Sequence, residues 1–156
     1  LTESNNDPRA TLLFTDGIAW MREASPASLD VLIVDSTDPV GPAAGLYDVD
    51  FFKACHASLS DGGIMVQQSE SPLLHGDLIR TMHQRLRQTG FTDVQTITFP
   101  QPCYPSGWWS ATMARKGKLF GDIRSAQALG EMRYYSTEIH RAAQVLPPFL
   151  RRLVDS

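Results

Sequence analysis

Two cysteines in 156 residues, Cys55 and Cys103, are too few for a disulfide framework. Basic residues are also short: 14 Lys and Arg stand against 17 Asp and Glu, for a net charge of −3. A protein whose main partner is a phosphate backbone needs a cationic surplus to displace counterions, so no nucleic acid is expected as partner. Apolar runs stay short, as at Val31-Leu32-Ile33-Val34. Crossing a bilayer takes about 20 apolar residues, so no membrane span is expected. Leu1 to Arg9 lacks the basic-then-apolar order of a signal peptide. A first residue of Leu rather than Met leads to the expectation of a truncated, processed or partly recorded chain. The four histidines, His56, His75, His83 and His140, show no ligand spacing, so no metal site is expected. What is present suits one packed domain: 42% hydrophobic and 20% charged residues.

Apolar periodicity switches along the chain between strand-like and helix-like segments. Strands are predicted at Ala10 to Thr15, Asp30 to Val34, Ile64 to Gln68, Asp93 to Phe99 and Trp108 to Ala114. The D-V-L-I-V run at Asp30 to Val34 is apolar on both faces, as a central parallel strand should be. Helices are predicted at Ile18 to Glu23, from an Asp48 cap to about Leu59, and at Leu74 to Thr89 with Gly90 as its stop. Two more follow, from a Ser136 cap to Val145 and from Pro148 onward. Asp61-Gly62-Gly63 reads as a helix stop and turn, and Lys116 to Glu131 as a surface crossing. The alternation is that of a parallel α/β sheet. A nucleotide-binding sheet of that kind normally opens with a strand and a Gly-rich turn. No such turn is present, so the chain is read as the later half of an α/β domain.

Ligands of open α/β sheets sit beyond the carboxyl ends of the strands. Three polar segments fall there: Thr15-Asp16-Gly17, Asp35-Ser36-Thr37-Asp38-Pro39 and Gln67-Gln68-Ser69-Glu70. Singly they read as turns or helix caps; together they point to one shared site. Asp35 and Asp38 lie three apart in a loop stiffened by Pro39 and Pro42. Such a pair can bind a cation or a metal, or serve as base and orienter, and the scattered histidines favour the cation. Tyr104-Pro105-Ser106-Gly107-Trp108-Trp109 is either a hairpin turn with half-buried Trp or an aromatic lid over an aliphatic substrate.

These strings resemble the polyamine aminopropyltransferases, the spermidine synthase family. The signature is D-V-L-I-V-D-S-T-D-P-V-G-P at Asp30 to Pro42. It continues through Gly45-Leu46-Tyr47, Phe51-Phe52, Asp61-Gly62-Gly63-Ile64 and Gln67 to Pro72, then Tyr104 to Gly107 and Arg133 to Pro147. The resemblance implies a Rossmann-like, class I methyltransferase-type α/β fold, with residues 1–156 its C-terminal portion. It implies aminopropyl transfer from decarboxylated S-adenosylmethionine to putrescine, giving spermidine and methylthioadenosine, with no further cofactor. It makes Asp35 the proton acceptor, sets Asp16, Gly17 and Pro42 at the nucleoside, and lines a polyamine channel with Asp35, Asp38, Gln68 and Tyr104. A cytoplasmic homodimer or homotetramer is expected, completed by an upstream half. Gln101-Pro102-Cys103 and Ser136 depart from the family's usual residues. Two alternatives remain: a methyltransferase using intact S-adenosylmethionine, and a non-catalytic fragment.

Overall fold

The structure is a computed structural model that describes residues 3–125, 130 and 132–156. Four strands form one sheet: β1 Leu29–Val34, β2 Leu59–Gln68, β3 Asp93–Pro100 and β4 Trp108–Arg115, in spatial order β1-β2-β4-β3. The sheet is mixed rather than all parallel. β1 and β2 run parallel, whereas β4 is antiparallel to both β2 and β3. The reason is the short β3–β4 connection. A tight hairpin joins only antiparallel strands, and a parallel return needs a crossover.

Five helices accompany the sheet: α1 Gly17–Glu23, α2 Val49–Ser58, α3 Gly76–Gln88, α4 Thr137–Ala143 and α5 Pro148–Val154. A 3₁₀ turn, Gly41–Tyr47, precedes α2. Asp16 caps α1, its Oδ1 accepting from the N–H groups of Ile18 and Ala19. Ser136 caps α4 in the same way, accepting from Ile139 N. Asp48 stands at the start of α2 but its side chain makes no cap bond. It faces Arg85 instead, 3.4 Å away. No helix among the described residues is long and apolar enough to cross a membrane.

Three expectations need correction. Ala10 to Thr15 forms no strand; Leu12, Leu13 and Phe14 are exposed, Phe14 at 99%. A strand exists only where a neighbour accepts its backbone bonds, and none among the described residues does so here. Asp61-Gly62-Gly63 does not stop a helix. The α2 helix ends at Ser58, and the glycines lie inside β2, where Leu29 pairs Leu59 but Val31 pairs Ile64. Those extra residues bulge outward, and Gly62, at φ +80, supplies the left-handed backbone the bulge requires. Finally, β1 is an edge strand here, with Val31 and Ile33 58% and 71% exposed. Its two apolar faces report what could be buried, not its place in the strand order. Residues 116–125 contribute no helix or strand beyond β4, in keeping with a crossing, although 126–129 and 131 lie outside the described residues.

One face of the sheet carries the core. Phe51, Phe52 and Cys55 of α2 and Met82 and Leu86 of α3 pack on Leu59, Met65, Val94 and Ala114. Burying each such side chain contributes about 1.5–3 kcal/mol. A second cluster joins Ile79 of α3 to Leu150 and Val154 of α5. The buried His83 donates or accepts at Thr96 Oγ1, 2.7 Å away, and burial with the nearby Arg87 charge depresses its pKa to about 4. The parallel β1 and β2 therefore end side by side, Val34 against Gln67, and the start of β4 is paired back against the end of β2.

Candidate active site

Everything that follows β1 and β2 emerges at that one end of the sheet. Asp35, Asp38, Gln68 and Tyr104 line a single cleft of about 920 Å³. Its walls include Ile33, Val66, Phe99 and Trp109. Two acids, Asp35 and Asp38, thus share the cleft with these aliphatic and aromatic walls and with the polar Ser36, Thr37, Gln68 and Gln101. That is the shape expected for an elongated cation with an apolar middle.

Each polar member is held by its own local structure. Asp35 is the first residue beyond β1 and is exposed. Tyr104 sits on a closed loop, in which Gln101 N bonds Gly107 O at 2.9 Å and Gly107 N bonds Tyr104 O at 3.0 Å. Ser106 and Gly107 take positive φ there, and Ser106 Oγ pairs with Ser71 Oγ at 2.7 Å. The Tyr104 ring stacks on Trp109, with centroids 4.6 Å apart and planes at 26°. Of the two readings of this segment, the structure shows the hairpin turn, and it sets the Tyr104 ring in the lining of the cleft.

Gln68 is the most connected residue of the cleft. Its Nε2 reaches Ser36 O at 3.1 Å, Tyr47 Oη at 2.9 Å and Glu70 Oε1 at 3.0 Å. Its Oε1 accepts from Glu70 N and from Trp109 Nε1, both at 3.1 Å.

Glu70 and Tyr47 escape a reading of sequence alone. Glu70 was legible only as one member of the polar strand end. The structure buries it to 1% exposure and gives it φ +66, a conformation uncommon for a residue with a side chain. Burial pushes its carboxyl above the usual range; the Gln68 amide works against this, and the facing Asp38 carboxyl adds to it. The His75 Nδ1 lies 3.8 Å from Glu70 Oε2. Two facing carboxyls of this kind favour a proton or a cation between them. Tyr47 is buried at 2%, and burial raises its phenol pKa. The signal for both was a polar or aromatic residue next to an otherwise ordinary strand end or turn.

The three expected nucleoside residues do not join this cleft. Asp16 is exposed and engaged as the α1 cap, Gly17 is the first residue of α1, and Pro42 is exposed in the 3₁₀ turn. A Cβ at Gly17 would meet nothing within 4 Å, so a ligand could approach that backbone. Among the described residues no group of three His, Cys, Asp or Glu could hold a metal ion.

Residues 1–121 match the model of the spermine/spermidine synthase domain. The chain belongs to that family. It is 56% identical over 160 residues to a polyamine aminopropyltransferase of Methylococcus capsulatus and 53% identical over 156 residues to that of Thioalkalivibrio sulfidiphilus. The matches cover 99% and 97% of this chain but 56% and 55% of those relatives, so it spans about half their length. A spermidine synthase crystallised with the transition-state analogue AdoDATO superposes with a TM-score of 0.88 at 28% identity, over 99% of this chain and 54% of that one. The spermidine synthase of Thermotoga maritima gives 0.85 at 28% identity, over 99% and 53%. The family fold is thus the open α/β sheet of class I methyltransferases. A putative DNA modification methylase of Thermus thermophilus, at 17% identity and TM-score 0.51, shares that fold alone.

Proposed function

We propose that this chain carries the amine-acceptor side of an aminopropyltransferase site. The enzyme transfers the aminopropyl group of decarboxylated S-adenosylmethionine to putrescine, releasing spermidine and methylthioadenosine. The observation that supports this most is the cleft in which Asp35, Asp38, Gln68 and Tyr104 meet.

The donor is a sulfonium, so its leaving group departs as a neutral thioether and requires no general acid. The acceptor nitrogens, like a Lys amine, have pKa values of about 10.4 and are protonated in water. One must be neutral to attack the carbon next to sulfur. Asp35 accepts its proton as the N–C bond forms and the nitrogen becomes more acidic. A carboxylate is a weak base for an amine, so orientation and charge stabilisation count as much as proton removal. Asp38, facing Glu70, offers the anionic end for the distant ammonium. Tyr104 covers the methylenes between. Asp16, Gly17 and Pro42 are assigned to the nucleoside on the family resemblance.

Acids in the cleft disfavour a donor that still bears its carboxylate, which separates this reading from a methyltransferase. The test is a chimera in which residues 1–156 replace the matching region of the M. capsulatus relative. Supplied with putrescine, it is expected to form spermidine from the decarboxylated donor and no methylated product from intact S-adenosylmethionine. Methyl transfer, or no transfer by a folded chimera, overturns the proposal. No cofactor besides the donor is proposed. A cytoplasmic location, assembly into a homodimer or homotetramer, and completion of the site by the rest of the family's length belong to the same reading.

A further inference from the structure

Both lone pairs of the Gln68 amide oxygen are taken, one by Glu70 N and one by Trp109 Nε1, each at 3.1 Å. An amide oxygen so saturated has no acceptor capacity left for an ammonium. The amide nitrogen is committed too, to Ser36 O, Tyr47 Oη and Glu70 Oε1. Gln68 is therefore a tie between the ends of β1 and β2, the 3₁₀ turn and Glu70. Which way its amide points decides whether a donor or an acceptor faces Glu70. Two backbone groups, the Glu70 N–H and the Ser36 carbonyl, set that orientation together with one side chain that can donate but never accept, the indole of Trp109, 8% exposed on β4. The N–H bonds from the ring's edge, and a face of the same ring carries the Tyr104 stack.

We infer that Trp109 is a positioning residue for the acceptor amine. Its N–H locks the Gln68 amide so that Nε2 holds Glu70 against Asp38, and its ring holds Tyr104 over the cleft. The inference rests on the proposed aminopropyl transfer. With the indole N–H removed, the Gln68 oxygen keeps only its bond from Glu70 N, so the side chain that holds Glu70 is less firmly placed and the acidic end of the cleft is less well ordered. The nucleoside donor, whose assigned residues lie outside this cleft, is not touched.

The experiment uses the same chimera. Trp109→Phe keeps a ring for Tyr104 and deletes the N–H; Trp109→Tyr, which also lacks the indole N–H, is run beside it so that one failed fold does not end the test. Either variant is expected to raise the KM for putrescine about fivefold, the effect of one neutral hydrogen bond, and to leave the donor KM within twofold. Gln68→Leu is expected to raise the putrescine KM as well. In the double variant, Trp109→Phe should add nothing further, because the residue it acts through is gone. Additive losses, equal weakening of both substrates, or a Trp109→Phe enzyme within twofold of its parent overturn the inference while the parent's transfer activity stands. A folded but inert parent overturns the function itself, and this inference with it.

Discussion

Asp35 follows Val34, the last paired residue of β1, so its backbone is fixed by the sheet while its carboxylate stands free in the cleft. Asp35→Asn in the chimera is expected to keep the fold and lose turnover by about 10²–10⁴-fold, the usual range for a general base. Steady-state kinetics within twofold of the parent rule out the role. Asp38→Asn and Tyr104→Phe should raise the putrescine KM more than the donor KM; equal weakening indicates a damaged loop instead. His83 provides a stability test away from the cleft. Its folded pKa is about 4, below the ordinary value of about 6.5. The folded state holds the neutral imidazole, so stability is full above pH 6.5 and falls as pH drops toward 4, where the folded ring at last protonates. The loss is on the order of 2–3 kcal/mol. Urea midpoints measured from pH 7 to pH 4 should show that decline, and His83→Gln should flatten it.

The bulge in β2 and the cap of α1 each rest on one side-chain choice. Gly62 has φ +80, and a Cβ there would come within 3.3 Å of the Lys118 side chain. Lys118 is flexible enough to move, so backbone strain decides the outcome. Gly62→Ala is expected to cost about 1 kcal/mol, read as a lower urea midpoint with unchanged slope. Asp16→Ala removes the acceptor for two helix N–H groups and is expected to cost about 0.5–2 kcal/mol, with Asp16→Asn recovering most of it. A stability unchanged in Asp16→Ala would leave the nucleoside as that residue's sole use.

At the molecule's edge, among the described residues, the sheet is covered on one face and open at β1 on the other. Met65, Val94 and Ala114 are buried under α2 and α3, whereas Val31 and Ile33 on the other face of β1 are mostly exposed. Leu12, Leu13 and Phe14 add more exposed apolar surface. Surface of this kind drives association or requires a covering partner. Residues 1–156 alone are therefore expected to self-associate in sedimentation, and neither to bind methylthioadenosine tightly nor to form spermidine. A soluble monomer with micromolar binding and turnover contradicts that expectation.

Much of this protein was legible in its residues. Side-chain periodicity is a local property, so α1, α3, β1, β3 and β4 could be read within a residue or two, as could the Ser136 cap. The string from Asp30 to Pro42 was enough to indicate the family, to which the chain belongs. Asp35, Asp38, Gln68 and Tyr104 were legible as candidates because each falls where a strand ends or a turn begins. Pairing was not legible, because backbone hydrogen bonds carry no side-chain label. Hence the edge position of β1, the antiparallel β4, the bulge at Gly62 and the unpaired Ala10 to Thr15 had to come from the fold. Burial was hidden for the same reason. Nothing near Glu70 in the chain marks it as enclosed; burial first, and then the approach of Asp38, makes its charge costly, while the Gln68 amide works the other way. Local sequence determined which residues could be functional; long-range packing decided which share a cleft, since proximity across the chain depends on which strands find each other.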